Sequence, residues 1–135
     1  MTMKSYLIGF LLAGALGSSL AYAGGKFDLP FSLTLNADHS GRMNGALGTT
    51  RNSTGVSRLE CVVTADAFQG TTSRWVTCQG ISSTTTVLCS ANDPLIVDTA
   101  AHLSGDSYLS VIWDTNFTCT NIQVETSSGL PPKAP

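Results

Sequence analysis

Residues 58–79 read RLECVVTADAFQGTTSRWVTCQ. Leu59, Cys61, Val63 and Ala65 alternate with Arg58, Glu60 and Thr64. A two-residue period marks a strand with one buried face. Residues 73–79 repeat it, with Val76 and Cys78 on one side and Trp75, Thr77 and Gln79 on the other. Asp66 to Thr72, with Gly70 inside, turns the chain between them. Folding this hairpin at about residue 69 brings Cys61 near residues 76–78, which makes a 61–78 disulfide geometrically reasonable. Pairing of Cys89 with Cys119 then follows by elimination. Spacing alone does not choose among the three pairings that four cysteines allow.

Upstream, residues 27–37 are apolar at every odd position from Phe27 to Ala37, which predicts a strand. Pro30 cannot donate to a ladder, so this strand belongs at an edge or a bulge. Residues 38–56 are rich in Gly and Asn, and only Met43, Ala46 and Leu47 hint at a short element. So long a structureless connection is uncommon in a compact domain. Downstream, Gly80 opens a turn and Thr84 to Ser90 form a strand. Asn92 or Asp93 then caps a helix with Pro94 in its first turn, and Gly105 ends it. Ser107 to Trp113 is apolar on both faces and fits a central strand. Residues 117–126 return after the turn Asp114-Thr115-Asn116. Their apolar phase slips from odd to even, which predicts a β-bulge near Thr120–Asn121. The expected fold is α+β, mainly β: an antiparallel sheet of five or six strands, one short helix and two disulfides.

The first 23 residues have the order of a secretory signal: Lys4, an uncharged apolar stretch from Tyr6 to Leu20, then Ala21-Tyr22-Ala23 before Gly24. The apolar stretch is short for a stable span, which takes ~20 residues. The expected organisation is a signal peptide at 1–23, one disulfide-stapled domain at 24–128 and a flexible Pro-rich tail at 129–135. All four cysteines (Cys61, Cys78, Cys89 and Cys119) lie beyond the cleavage point, as in exported proteins stapled in an oxidising compartment. The destination is therefore periplasmic or extracellular. Seven basic residues stand against nine acidic ones, for a formal net charge of −2. No basic patch suits nucleic acid or an anionic membrane. Ser and Thr make up about a quarter of the chain beyond Ala23.

Catalytic signatures are weak. Asp98 and His102 lie four residues apart on a helix, where a carboxylate could orient an imidazole, but no nucleophile motif accompanies them. Asp38-His39 begins a loop, and Asp106 and Asp114 suit turns. Neither the cysteine nor the histidine spacing suits a metal, so no metal or other cofactor is expected. Trp75 beside Arg74 is the better binding candidate, because an outward Trp is a common anchor for a partner or a glycan. Asn52-Ser53-Thr54 and Asn116-Phe117-Thr118 match the glycosylation sequon.

Gly45-Ala46-Leu47-Gly48, Arg51-Asn52-Ser53, Cys61, Cys78, Cys89 with Asn92-Asp93-Pro94, Gly105-Asp106-Ser107-Tyr108, Trp113-Asp114 and Cys119 form a pattern. In it the chain resembles a group of short exported bacterial proteins of uncharacterised function. The likeness covers most of residues 41–128 and omits the strand at 27–37. It implies a four-cysteine exported domain and brings no activity or ligand. It also implies a role for Arg51 and Asn52, either buttressing the loop or binding.

The expected function is that of an exported, non-enzymatic domain that binds a protein or polymer outside the cytoplasm through Arg74, Trp75, Arg51 and Asn52. Two alternatives stand beside it. One is a structural subunit that self-associates by lending the strand at 27–37 to a neighbour. The other is a small secreted hydrolase built on His102 or His39, or a hydrolase inhibitor presenting loop 66–72.

Overall fold

The computed structural model describes residues 27–130; the signal sequence read at 1–23, and all of the tail read at 129–135 beyond residue 130, lie outside them. The hairpin at 58–79 is longer and its turn tighter than the sequence suggests. In chain order the first two strands are β1 (Ser32–Leu35) and β2 (Gly41–Ala46), followed by the helix α1 (Leu47–Asn52). The hairpin strands are β3 (Arg58–Phe68) and β4 (Thr71–Ile81). Only Gln69 and Gly70 connect them, both with positive φ (49° and 80°). Two such residues match the right-handed twist of the flanking strands, so pairing runs on to Phe68 and Thr71. Gln-Gly is not among the strong turn dipeptides, which is why the turn looked wider.

Then come β5 (Thr86–Ala91), α2 (Pro94–Ala101), β6 (Tyr108–Trp113) and β7 (Cys119–Glu125). The protein is mainly β, but its strands form two antiparallel sheets, not one. Four strands run in the order β1-β2-β6-β7 and three in the order β3-β4-β5. Among the described residues there are two short helices where one was expected. Residues 38–56, read as a long Gly-rich connection, contain β2 and α1. Their core face is built from Gly41, Met43 and Gly45 and so carries no bulky apolar alternation. A methyl group on Gly41 would strike the Thr34 carbonyl and the Trp113 ring, so these neighbours fill the space a side chain would take. β1 and β2 are thus a tight hairpin joined through Asn36–Ser40. The loose joint on which strand exchange rested is itself ordered structure.

The inner faces of the sheets supply the core. Met43, Leu109, Val111, Trp113 and Ile122 come from one, and Leu59, Val76, Val87 and Ala91 from the other. At Gly80 of β4 the absence of a side chain lets the sheets press together. A Cβ there would lie 2.7 Å from Met43 Sδ. α2 crosses from one sheet to the other, packing on β7, β4 and β3 and burying Val97 and Ala100. The Asp93 carboxylate caps α2 by accepting from the N–H groups of Leu95 and Ile96, with Pro94 in the first turn as anticipated. Asp93→Ala is expected to cost about 1 kcal/mol. That lowers Tm by roughly 4–8 °C for a domain of this size, while Asp93→Asn leaves it nearly unchanged; a thermal melt followed by circular dichroism measures both. The helix does not run to Gly105. It ends at Ala101, where His102 N–H and Leu103 N–H donate to the carbonyls of Thr99 and Ala100 in a tightened last turn that needs no left-handed glycine.

β6 is central, between β2 and β7. The expected bulge is present. Ile112 pairs with Asn121 and Trp113 with Cys119, leaving Thr120 as the extra residue. Asp114 organises the preceding turn by accepting from Asn116 and Thr118 N–H. Asp38 does the same for Ser40 in the β1–β2 turn. Its bonds from the Ser40 hydroxyl and N–H hold the carboxyl below the ordinary carboxylate range. Towards the C-terminal end of the described chain the polypeptide is still packed: Gly129 O accepts from Phe27 N–H, and Leu130 is buried.

Both disulfides are formed, as 61–78 and 89–119. Cys61 and Cys78 stand directly opposite each other on β3 and β4. The 89–119 bond ties β5 of one sheet to β7 of the other. Beside it Ser90 bridges Thr118, and Ser90 N–H donates to Phe117 O. The two sheets are therefore joined along their β5 and β7 edges. Two disulfides suggest an oxidising, non-cytoplasmic compartment. No helix among the described residues is long and apolar enough to cross a membrane.

Candidate functional site

Arg74 and Trp75 are neighbours in sequence and diverge in space. Arg74 pairs in register with Ala65 and reaches over to α2, where its Nη1 donates to Asp98 Oδ1 at 2.9 Å. Both side chains are at least half exposed, so this ion pair contributes little to stability. It does commit the Asp98 carboxylate. His102 Nδ1 lies 2.7 Å from the backbone carbonyl of Asp98, not from its carboxylate. The carboxylate–imidazole dyad suggested by the i, i+4 spacing is thus not assembled. His39 sits in the β1–β2 turn with φ 71°, and its carbonyl accepts from the Trp113 indole N–H at 2.8 Å. No group of three His, Cys, Asp or Glu side chains that could hold a metal occurs among the described residues.

Trp75 lies on the opposite face of β4 from Val76 and Cys78 and is partly exposed, whereas those two are fully buried. Register defines its neighbours. Thr64 is directly across on β3, and Val62 and Thr77 form the next pair along. Ser90 and Leu88 of β5 flank Thr77 and Gln79 on the other side. Val62 and Leu88 are 55% and 49% exposed, and Phe68 at the hairpin end is 67% exposed. The outward face of the three-stranded sheet is thus a shallow surface of hydroxyls, amides and aliphatic groups around one indole. Charge on it is confined to the Arg58–Glu60 pair and Asp66.

Arg51 belongs to a different place. Leu47 N–H donates to Ser107 O, which seats the start of α1 against the loop that follows α2. Ser107 is fully buried, and its hydroxyl accepts from Ser104 N–H and meets Ser104 Oγ at 2.9 Å, so the loop is held firmly. One turn along α1, Arg51 then lies across Gly105. A Cβ on Gly105 would sit 3.5 and 3.8 Å from its two terminal nitrogens. Between α1, the start of β3 and residues 103–105 is a cleft of about 510 Å³. Leu47, Leu59 and Leu103 supply apolar lining, with Arg51 on one wall and Arg58 and Glu60 on the other. Arg58 Nη2 donates to Glu60 Oε2 at 2.8 Å. Neither described salt bridge involves Arg51. Asn52 ends α1 and is exposed, and both sequons lie on exposed segments. Sequence reasoning picked out Arg51 but not the cleft, because its lining comes from three segments far apart in the chain.

Among known proteins, no family model, no curated protein and no solved structure matches this chain.

Proposed function

We propose that this chain is an exported, non-enzymatic binding module that lays the outward face of its three-stranded sheet on a neutral glycan polymer. The observation that carries this reading is Trp75, partly exposed in the middle strand and bordered by Thr64, Thr77 and the aliphatic Val62. Sugar rings offer an apolar C–H face and a rim of hydroxyls. An indole takes the first, and Thr and Gln side chains exchange hydrogen bonds with the second. Few charges have to be stripped of water, which suits an uncharged polymer. Trp75 stands just past the end of the β4–β5 ladder, with Thr77 and Gln79 continuing the same face across the three strands.

The test is retention on insoluble polysaccharides, cellulose and chitin among them, by the disulfide-intact protein and by Trp75→Ala. The substitution is expected to weaken retention at least about tenfold, as loss of an aromatic anchor does, at a temperature where both proteins are folded. Equal retention of the two proteins, or retention of neither, would refute the reading.

A further inference from the structure

The cleft under Arg51 shares the Arg58–Glu60 pair with the border of the face around Trp75, but it does not include Trp75 and has a different chemistry. We propose that it binds a small amphipathic carboxylate, with Arg51 gripping the carboxylate and Leu47, Leu59 and Leu103 covering the apolar body. Four observations lead there. Its volume, about 510 Å³, falls in the range of small-molecule sites. Its lining is mixed, the apolar part being Leu47, Leu59 and Leu103 from α1, β3 and the loop after α2. Its two cations are unequal: Arg58 is neutralised by Glu60 at 2.8 Å, whereas Arg51 enters neither described salt bridge. With Arg51 and Arg58 set against Glu60, the charged side chains of the cleft leave an excess of positive charge in a protein of formal net charge −2, which favours an anion there.

Geometry adds orientation. The two terminal nitrogens of Arg51 lie over Gly105, 3.5 and 3.8 Å from where a Cβ would be. The loop under them is pinned through Ser104, Ser107 and the bond from Leu47 N–H. A guanidinium so placed keeps the N–H pair on its Nε side for the two oxygens of a carboxylate. The ligand class is therefore one negative charge on a short hydrocarbon or aromatic body. A neutral alcohol of the same body fills the apolar lining and leaves the guanidinium unanswered.

Isothermal titration with octanoate and with 1-octanol separates these contributions. The oxidised protein is expected to take up octanoate at least about tenfold more tightly than octanol, the difference being the charge-assisted pair. Arg51→Gln is expected to erase that preference while leaving octanol binding and the melt unchanged. Arg51 is exposed, so its loss does not threaten folding. Arg51→Lys keeps the charge without the fork and is expected to fall between. Equal affinity for octanoate and octanol would overturn the proposal, as would absence of octanoate binding at millimolar concentration. So would octanoate affinity that survives Arg51→Gln. None of these results bears on Trp75, whose partner is tested on a different surface.

Discussion

Trp113→Ala is expected to be the most damaging single substitution in the core, costing about 3–5 kcal/mol of folding stability. The ring is 1% exposed and faces Gly41 of the neighbouring strand, whose missing side chain makes the room for it. No nearby group can collapse into the space, because β2 and β7 hold their register on either side of β6. Truncation also removes the indole N–H that donates to His39 O at 2.8 Å. That bond ties β6 to the β1–β2 turn, where His39 already takes a left-handed φ of 71°. Trp113→Phe separates the two contributions. It keeps most of the burial, loses the hydrogen bond and is expected to cost about 1–2 kcal/mol. Urea unfolding of the oxidised proteins measures both. A midpoint for Trp113→Ala within error of the parent would mean that the aromatic seat on Gly41 is not there.

Removal of the 89–119 disulfide, as the double replacement Cys89→Ala and Cys119→Ala, is the second large effect. The bond closes a separation of 30 residues. In the chain-entropy model that is worth roughly 3.6 kcal/mol, against roughly 3.1 kcal/mol for the separation of 17 closed by Cys61–Cys78. The structural difference is greater than those figures imply. Cys61–Cys78 links strands that already share a ladder. Cys89–Cys119 links different sheets, and both its cysteines are 2% exposed, so their replacement also leaves small voids in the core. The 89–119 double variant is therefore expected to unfold at lower urea than the 61–78 double variant. The reverse order would show that joining the sheets contributes less than stapling the hairpin.

The features legible in the sequence were those set by local rules. The hairpin at 58–79 and its disulfide follow from alternation and spacing. The cap at Asp93 follows from side-chain chemistry, and the bulge at Thr120 from a change of phase. β2 was hidden for a physical reason: its core face is Gly41, Met43 and Gly45, and the Trp113 ring and Thr34 carbonyl, with the Phe31 main chain and Thr50 hydroxyl, stand where side chains on the two glycines would go. Division into two sheets was hidden because it depends on non-local pairing, with β2 inserted between β1 and β6. The site divides in the same way. That Trp75 faces away from Val76 and Cys78 was readable from period two. That Arg74 would spend itself on Asp98, and that Arg51 would lie over Gly105, needed the path of both helices.

The Ser90–Thr118 bridge and the 89–119 bond lock the sheets along one margin only. At the far margin β1 and β3 share no ladder, and α1 packs against β2 and β3. Any parting of the layers therefore pivots about the covalent side and widens on the other, where Leu59 and Arg51 line the cleft.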